Sequence, residues 1–329
     1  MNSRPAGRRK KGATSFTPAA LSLALCAFAS YCYAVRPDPL AAFTVWPTWL
    51  WTSAGLLLAA MGGRRTPRRA ALWLLAAWIG YTAAFTEEAR SLLREPAGPK
   101  PPGAIRVVSV NCAGGNAAVA AEAMALSPDI VLLQESPSLA QLRRVAAAAG
   151  PGWSVAAGPE GSILAHGTMK RVGPPSGAFT HARVNLSGGV WLDVISLRLS
   201  TPAFRADLWS PDCWRSYAAN RARQREELRE AAGHLARYGA GGPAIVGGDF
   251  NAPQGDGAFT AMPTGFRDAF RESGRGWGDT ILNDCPVLRI DQAWVSQGLS
   301  VHAVWARRTA NSDHRMVVCD LTEAVTTRR

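Results

Sequence analysis

The chain has 329 residues, enough for one large domain and something more. Its formal net charge is +12, yet residues 1–103 carry +9 of it and residues 104–329 only +3. Tight nucleic-acid binding by phosphate neutralisation needs a strongly basic face, and the larger C-terminal part bears only a weak signature of one.

The N-terminal excess goes with three charge-poor apolar stretches at about residues 13–35, 39–63 and 70–86. A bilayer-crossing helix needs roughly 17–25 apolar residues, so the first two qualify and the third sits at the lower limit. Trp46, Trp49, Trp51, Trp73 and Trp78 suit an interfacial belt. Three transmembrane helices within residues 1–94 are therefore expected, a buried helical hairpin being the alternative. Arg4, Arg8, Arg9, Lys10 and Lys11 precede the first stretch, and Arg64, Arg65, Arg68 and Arg69 separate the second from the third. Positive loops stay cytoplasmic, so everything after Glu87 is expected outside the cytoplasm, on a multi-pass protein of the cell membrane. A cleaved signal peptide competes for the first stretch and leaves that side unchanged.

Residues 95–103 (Glu-Pro-Ala-Gly-Pro-Lys-Pro-Pro-Gly) form a semi-rigid linker. Residues 104–325 then read as one domain. Strands are predicted at 105–110, 129–134, 153–157, 162–165, 178–186, 190–199, 244–246, 292–295, 302–305 and 316–321. Helices are predicted at 117–125, 138–149 and 216–238, with a short one near 266–270. This mixture predicts an α/β fold of two packed, mostly antiparallel sheets flanked by helices, a four-layer sandwich. Of the six cysteines, Cys213 and Cys285 lie in loop-like surroundings, where an oxidising compartment permits a disulfide.

Gly247-Gly248-Asp249-Phe250-Asn251 follows the apolar run 244–246, and Ser312-Asp313-His314 lies near the C-terminal end. Glycines let a backbone pass close to a ligand, and acids displayed just beyond buried strands suit a divalent metal and a phosphate. Taken singly, Asp249 and Asn251 could be turn formers, Glu135 a solvated surface acid, and Asp313-His314 a cap on the last strand. His166, His181, His234 and His302 lack such company and read as surface or core residues.

Asn111 after the first strand, Leu-Leu-Gln-Glu ending at Glu135, Gly-Asp-Phe-Asn at 248–251, Arg-Ile-Asp at 289–291 and Ser-Asp-His at 312–314 occur in this order. The series resembles the endonuclease/exonuclease/phosphatase superfamily, which includes deoxyribonucleases, abasic-site endonucleases, neutral sphingomyelinases and inositol-phosphate phosphatases. The resemblance covers essentially all of residues 104–325. It implies Glu135 as principal ligand of Mg²⁺ (Mn²⁺ being possible), with Asp313 contributing. Asp249 becomes the base that orients the attacking water. Asn251 and Asn111 hold a phosphate oxygen or orient the base, and His314 donates to a phosphoryl oxygen. Asp291 fixes its tautomer and favours the imidazolium.

Two positions depart from the pattern. Where many members end a central strand in His-Leu, this chain has Arg198-Leu199, a forked cation suited to binding phosphate. Ala113 stands where abasic-site enzymes carry an aspartate, which points to one metal. Asn220-Arg221-Ala222-Arg223-Gln224 resembles an Arg-x-x-Gln helix start found in relatives, or else is a solvated basic face. The expected activity is a membrane-tethered, Mg²⁺-dependent phosphodiesterase acting on nucleic acid or a phospholipid headgroup, with no protein partner implied. The alternative is a non-catalytic binding protein that retains the fold.

Overall fold

The computed structural model describes residues 17–63, 66–186 and 189–324. Arg4, Arg8, Arg9, Lys10, Lys11, Arg64 and Arg65 lie outside the described residues, as do the start of the 13–35 stretch and residue 325. The chain divides into two compact units, one of Met1–Ala34 and Thr48–Thr86, the other of Val35–Pro47 and Glu87–Arg329. In chain order the first helices are α1 (Thr17–Val35), α2 (Ala41–Thr44), α3 (Thr48–Gly62), α4 (Arg68–Phe85) and α5 (Glu88–Ser91).

Helices α1, α3 and α4 make the first unit. Ser22 Oγ donates to the Gly55 carbonyl at 2.7 Å and accepts from Trp78 Nε1 at 3.0 Å. A Cβ at Gly55 would meet the Trp78 ring at 1.8 Å, so glycine allows this close approach of α3 and α4. Thr48 and Thr86 pair through their hydroxyls at 3.0 Å, and Thr52 and Thr82 at 3.2 Å. Outward, the helices present Leu23, Leu57, Met61, Trp73 and Ile79. These hydroxyls and the Trp78 indole are thus bonded inside, while the apolar side chains just named face out.

The three expected membrane spans reduce to a single candidate. Among the described residues only Pro18–Val35 is a helix long and apolar enough to cross a membrane, by length and composition. The 39–63 stretch is broken by the turn at Asp38–Leu40, the single turn of α2 and Pro47, which leaves α3 only 15 residues. The third, α4, has Arg68 and Arg69 as its first two residues, which lowers its hydropathy.

The second unit is built on β1 (Ile105–Asn111), α6 (Ala117–Met124), β2 (Ile130–Gln134), α7 (Leu139–Ala148), β3 (Trp153–Ala156), β4 (Gly161–Arg171), β5 (Phe179–Leu186) and β6 (Trp191–Arg198). It continues with α8 (Pro211–Tyr238), β7 (Ala244–Asp249), β8 (Arg267–Asp268), α9 (Ala269–Ser273), β9 (Asp291–Val295), β10 (Leu299–Arg307) and β11 (Met316–Glu323). Two separate sheets were expected; the strands instead form one curled, mixed sheet in the order β10-β11-β1-β2-β4-β5-β6-β7-β9-β8, with β3 also on β4. The reason lies in β4. Its residues 161–165 pair with β2 and its residues 167–171 with β5, so one strand serves both halves. Gly167 (φ +151°) sits at the changeover, where a Cβ would meet the Asn185 carbonyl at 2.2 Å.

Strand periodicity of two explains the layers. Val107, Ile130, Leu132 and Ile163 of one half face Val184, Val194, Ile245 and Val295 of the other in a buried core. The alternate residues Val108, Val110, Val131 and Leu133 meet Val119, Ala123 and Leu142 of α6 and α7. On the far side Ile195, Leu197 and Val246 meet Leu228 and Ala231 of α8. Fully burying such an aliphatic side chain contributes about 1.5–3 kcal/mol. Gly247 and Gly248 serve this packing rather than ligand approach: a Cβ would meet Leu132 at 2.6 Å and the Leu197 carbonyl at 1.9 Å respectively. The Cys213–Cys285 bridge does not form; Cys213 is buried in the first turn of α8, Cys285 is exposed, and both thiols are free.

Arg221 and Gln224 of the Arg-x-x-Gln segment are buried, while Ala222 and Arg223 between them are exposed. Arg221 donates to the carbonyls of Arg36 and Pro37, to Thr44 Oγ1 at 2.6 Å and to Asp256 at 2.8 Å. Arg225 takes Asp38 through both carboxylate oxygens at 2.9 and 2.6 Å. Residues 35–47 are thereby fixed to α8. Residues 87–95 are fixed likewise: Glu87 pairs with the buried Arg289 at 2.6 Å, and Ser91 Oγ donates to the Gly276 carbonyl at 2.7 Å.

Candidate active site

The parallel pairs β1/β2 and β6/β7 end at one edge of the sheet, and register decides which side chains meet there. Asn111 lies opposite Gln134, the residue before Glu135; Asp249 lies opposite Arg198 on one side and Asp291 on the other. Asn111 is buried, and its Nδ2 donates to Glu135 Oε1 at 3.1 Å and to Asp249 Oδ2 at 3.0 Å. One amide therefore joins two acids contributed by opposite halves of the sheet.

Asp249 is itself buried, its Oδ1 taking the Asn251 N–H at 2.9 Å. Asn251 adopts φ +47°, a conformation asparagine tolerates, and its Nδ2 reaches the Leu199 carbonyl at 2.9 Å and Asp249 Oδ2 at 3.2 Å. Burial and the neighbouring Asp291 push Asp249 up to about 7, against the opposing pull of His314, Asn251 and Asn111.

His314 Nδ1 stands 2.8 Å from Asp291 Oδ2, and both residues are buried. Burial works against charging His314, but Asp291, Asp249 and Asp313 outweigh it and raise the imidazole to about 10. The histidine is an imidazolium at neutral pH, held as a donor. Two hydroxyls that sequence reasoning passed over set this pair. Thr280 Oγ1 accepts from the N–H groups of Ile290 and Asp291, and Ser312 Oγ donates to the Asn111 carbonyl while accepting from His314 N. No motif marks Thr280; Ser312 stood in the Ser-Asp-His motif without a role. Beneath the site, the buried Gln134 amide reaches Ser109 and Ser196 Oγ at 3.3 and 3.2 Å, bonding one half of the sheet to the other.

Arg198 reaches the centre of the group. Its guanidinium pairs with Glu135 Oε1 at 2.9 Å and Glu160 Oε2 at 3.0 Å, with Nε 3.8 Å from Asp249 Oδ2. Glu160 belongs to no motif and was not anticipated. Burial disfavours the charge on Glu135, but Asn111, the Gly114 N–H and Arg198 outweigh it and hold the acid below the usual carboxylate range. The buried His181, by contrast, pairs with Asp193.

Two groupings offer themselves to a metal. Ligand atoms of Asp249, Asp291 and His314 all lie within 4.8 Å of one another. There, however, His314 Nδ1 is committed to Asp291, so only its Nε2 could face a metal, and the neighbouring acids that raise the imidazole favour a proton there instead. Glu135 and the exposed Asp313 instead line an open hollow of about 680 Å³ with Ala113, Asn311 and Ser312. Hard carboxylate oxygens with room for retained waters suit a small divalent cation. The donor chemistry fits the metal at Glu135 better than in the buried triad.

The endonuclease/exonuclease/phosphatase family profile matches residues 108–314, well over half of the chain and the whole span from Asn111 to His314. No curated protein matches. Among solved structures, the fold is similar to an endonuclease/exonuclease/phosphatase from Bacteroides vulgatus, at 14% identity and TM-score 0.53, over 67% of this chain and 99% of that one. A family protein from Bacteroides thetaiotaomicron aligns at 18% identity and TM-score 0.51, over 70% and 99%. The mannosyl-6-phosphatase of that organism aligns at 18% identity and TM-score 0.50, over 66% and 99%. At such identities the likeness speaks for the fold alone.

Proposed function

Since the chain belongs to the endonuclease/exonuclease/phosphatase family, whose members are metal-dependent phosphate-ester hydrolases, we propose that it is a membrane-tethered phosphodiesterase of nucleic acid or phospholipid headgroups. The observation that carries this reading is the Asn111 amide bonded at once to Glu135 and Asp249. It ties the would-be metal ligand to the would-be base in one rigid unit.

Glu135, with Asp313, would hold Mg²⁺, which when bound neutralises charge on the phosphate. Asp249, poised near neutrality, accepts the proton of the water that attacks phosphorus. Asn251 and Asn111 fix the orientation of that carboxylate. His314, kept protonated by Asp291, donates to the phosphoryl oxygen as charge gathers there. Arg198 supplies a second, permanent cation at the same place.

Tethering is supported by the length and composition of α1 and by the outward apolar side chains of α1, α3 and α4. With the basic N-terminus in the cytoplasm and α1 crossing, residues 35–47 emerge on the far side. Their attachment to Arg221 and Arg225 carries the catalytic unit to that side too.

Screening the full chain with Mg²⁺ or Mn²⁺ against plasmid DNA, RNA, phospholipids and simple bis-phosphate esters tests this reading. Turnover of one class, lost in Asp249→Asn, is the expected result. The Arg198–Glu135 ion pair, which occupies the metal ligand, favours a second reading as a non-catalytic binding protein; ligand binding with no turnover of any class would establish that one instead.

A further inference from the structure

All four hydrogen-bonding atoms of Asn283 are spent on the loop that carries Ser312-Asp313-His314. Its N–H donates to the Asp313 carbonyl at 2.7 Å, and its own carbonyl accepts from Arg315 Nε at 2.8 Å. Its side chain takes the Thr309 backbone from both sides: Nδ2 donates to the carbonyl at 2.7 Å, and Oδ1 accepts from the N–H at 3.1 Å. Asn283 thus joins residues 309, 313 and 315, the two ends of a loop whose middle, Ala310 and Asn311, is held by Glu122 of α6.

The residue before it is strained. Leu282 has φ +64°, a left-handed conformation that leucine adopts only under constraint. It is 54% exposed, so burial of its side chain is not what holds it there. The constraint comes from the residues around it. The Thr280 carbonyl accepts from Arg315 N at 2.8 Å, Ile281 forms an antiparallel bridge with His314, and Cys285 N donates to the Leu282 carbonyl at 2.8 Å. Thr280 Oγ1 meanwhile holds the N–H groups of Ile290 and Asp291. One short segment, residues 280–283, therefore grips both motifs that supply the Asp291–His314 pair. Asp313 needs such a grip most: its side chain is exposed at the hollow beside Glu135, and among the described residues no hydrogen bond holds its carboxylate. Its backbone alone fixes what that carboxylate can reach.

We propose that Asn283 is a positioning residue of this site: by closing the loop from Thr309 to Arg315 it sets the reach of Asp313 towards a divalent cation shared with Glu135, and the aim of His314 at the phosphate. The proposal rests on the reading of Glu135 and Asp313 as metal ligands. It deepens that reading by assigning the accuracy of the site to a residue outside every motif, delivered by a strained turn at Leu282.

The test uses the full chain and reads Mn²⁺ binding by calorimetry before any substrate is added. Asn283→Ala removes both bonds to Thr309 and should weaken Mn²⁺ by about 10-fold, the size of loss seen when a partner behind a metal ligand is removed. With a substrate in hand, kcat should fall by at least about 10-fold and KM little, because misplaced groups cost the transition state most. Leu282→Val, a β-branched residue that resists positive φ, should reproduce these losses with the Asn283 amide still present. Leu282→Gly, which accepts that φ freely, should match the wild type in both measurements. Should Asn283→Ala fail to fold, the two Leu282 variants decide alone. A lowered Tm with Mn²⁺ affinity and kcat unchanged would make Asn283 merely structural and overturn the proposal, as would equal behaviour of Leu282→Val and Leu282→Gly. If the wild type binds Mn²⁺ and turns over no ester while the losses in Mn²⁺ affinity appear, the hydrolase reading fails and Asn283 keeps its role. If the wild type binds no Mn²⁺, the metal reading fails and the proposal with it.

Discussion

His314 Nδ1 and Asp291 Oδ2 lie 2.8 Å apart, while the second oxygen of Asp291 is buried with no hydrogen-bond partner. That carboxylate spends its charge on two neighbours at once: it raises His314 to about 10 and helps raise Asp249 to about 7. A base that must be deprotonated and a donor that must be protonated then define the working range. The profile of kcat/KM against pH should rise through about 7, stay level, and fall through about 10. Asp291→Asn should move both limbs towards acid, because Asp249 loses a repelling charge and His314 an attracting one. A profile flat between pH 5 and 9 for a measured hydrolysis would refute these assignments.

The raised Asp249 also has a cost in stability. Its folded value is about 7 against an ordinary 3.8, so between these the unfolded chain releases a proton that the folded chain keeps. Stability therefore falls as pH rises through that window, and the full penalty is present above 7. Asp249→Asn removes the ionisation. Relative to wild type its Tm should be higher at pH 8 than at pH 4, even if the changed hydrogen bonding to Asn111 shifts both values. Turnover should be lost at every metal concentration, with substrate binding kept. An equal Tm difference at both pH values would show that Asp249 is not raised.

How far this could be read from sequence depended on whether a residue's role is local. Ile130–Gln134 is apolar on both faces, and Ile105–Asn111 is rich in β-branched residues, so both strands declare themselves. The catalytic residues sit at fixed offsets from strand ends, so their order was legible too. The tail of β4, His166-Gly167-Thr168-Met169-Lys170-Arg171, shows no alternation, and its pairing depends on Asn185 and its neighbours in β5. That is why one sheet read as two. Gly247 and Gly248 are poor strand formers by propensity, and they extend β7 to Asp249 through pairing with β6 on one side and β9 on the other. Glu160 and Thr280 act across 38 and 11 residues of chain, and nothing beside them in sequence announces a partner.

Glu135 is tested by metal binding rather than by rate alone. Glu135→Gln keeps an oxygen for one of the two donors, the Asn111 amide at Oε1 or the Gly114 N–H at Oε2, and removes the charge. Mn²⁺ affinity by calorimetry should fall at least about 10-fold, a loss of the size seen when partners in a metal site are removed. Activity should recover in part at high metal. Unchanged affinity would move the metal elsewhere, to the grouping around Asp249 and Asp291 first of all.

His314→Ala removes a preorganised donor to the phosphoryl oxygens, so kcat should fall on the order of 10²–10³-fold with KM little changed. The alkaline limb of the pH profile should vanish with it. A variant that loses activity but keeps that limb would assign the high-pH group to another residue.

Arg198 decides how metal and phosphate share the site. Its guanidinium lies 2.9 Å from Glu135 Oε1, the same oxygen that accepts from Asn111, and so competes with a cation arriving at that carboxylate. Arg198→Met should therefore tighten Mn²⁺ binding by freeing Glu135. It should also lower kcat/KM by roughly 10²-fold, through loss of a charged donor to the phosphate. Opposite signs in the two measurements are the mark of a residue that hands over from acid to substrate. If metal binding does not change, the ion pair in the resting chain is incidental; if kcat/KM does not change, Arg198 never reaches the phosphate. Arg198→His then separates charge from chemistry. Activity restored above that of Arg198→Met, with metal binding as tight as in it, would show that an imidazole serves at this strand end and that arginine is there to hold Glu135 and Glu160 in place.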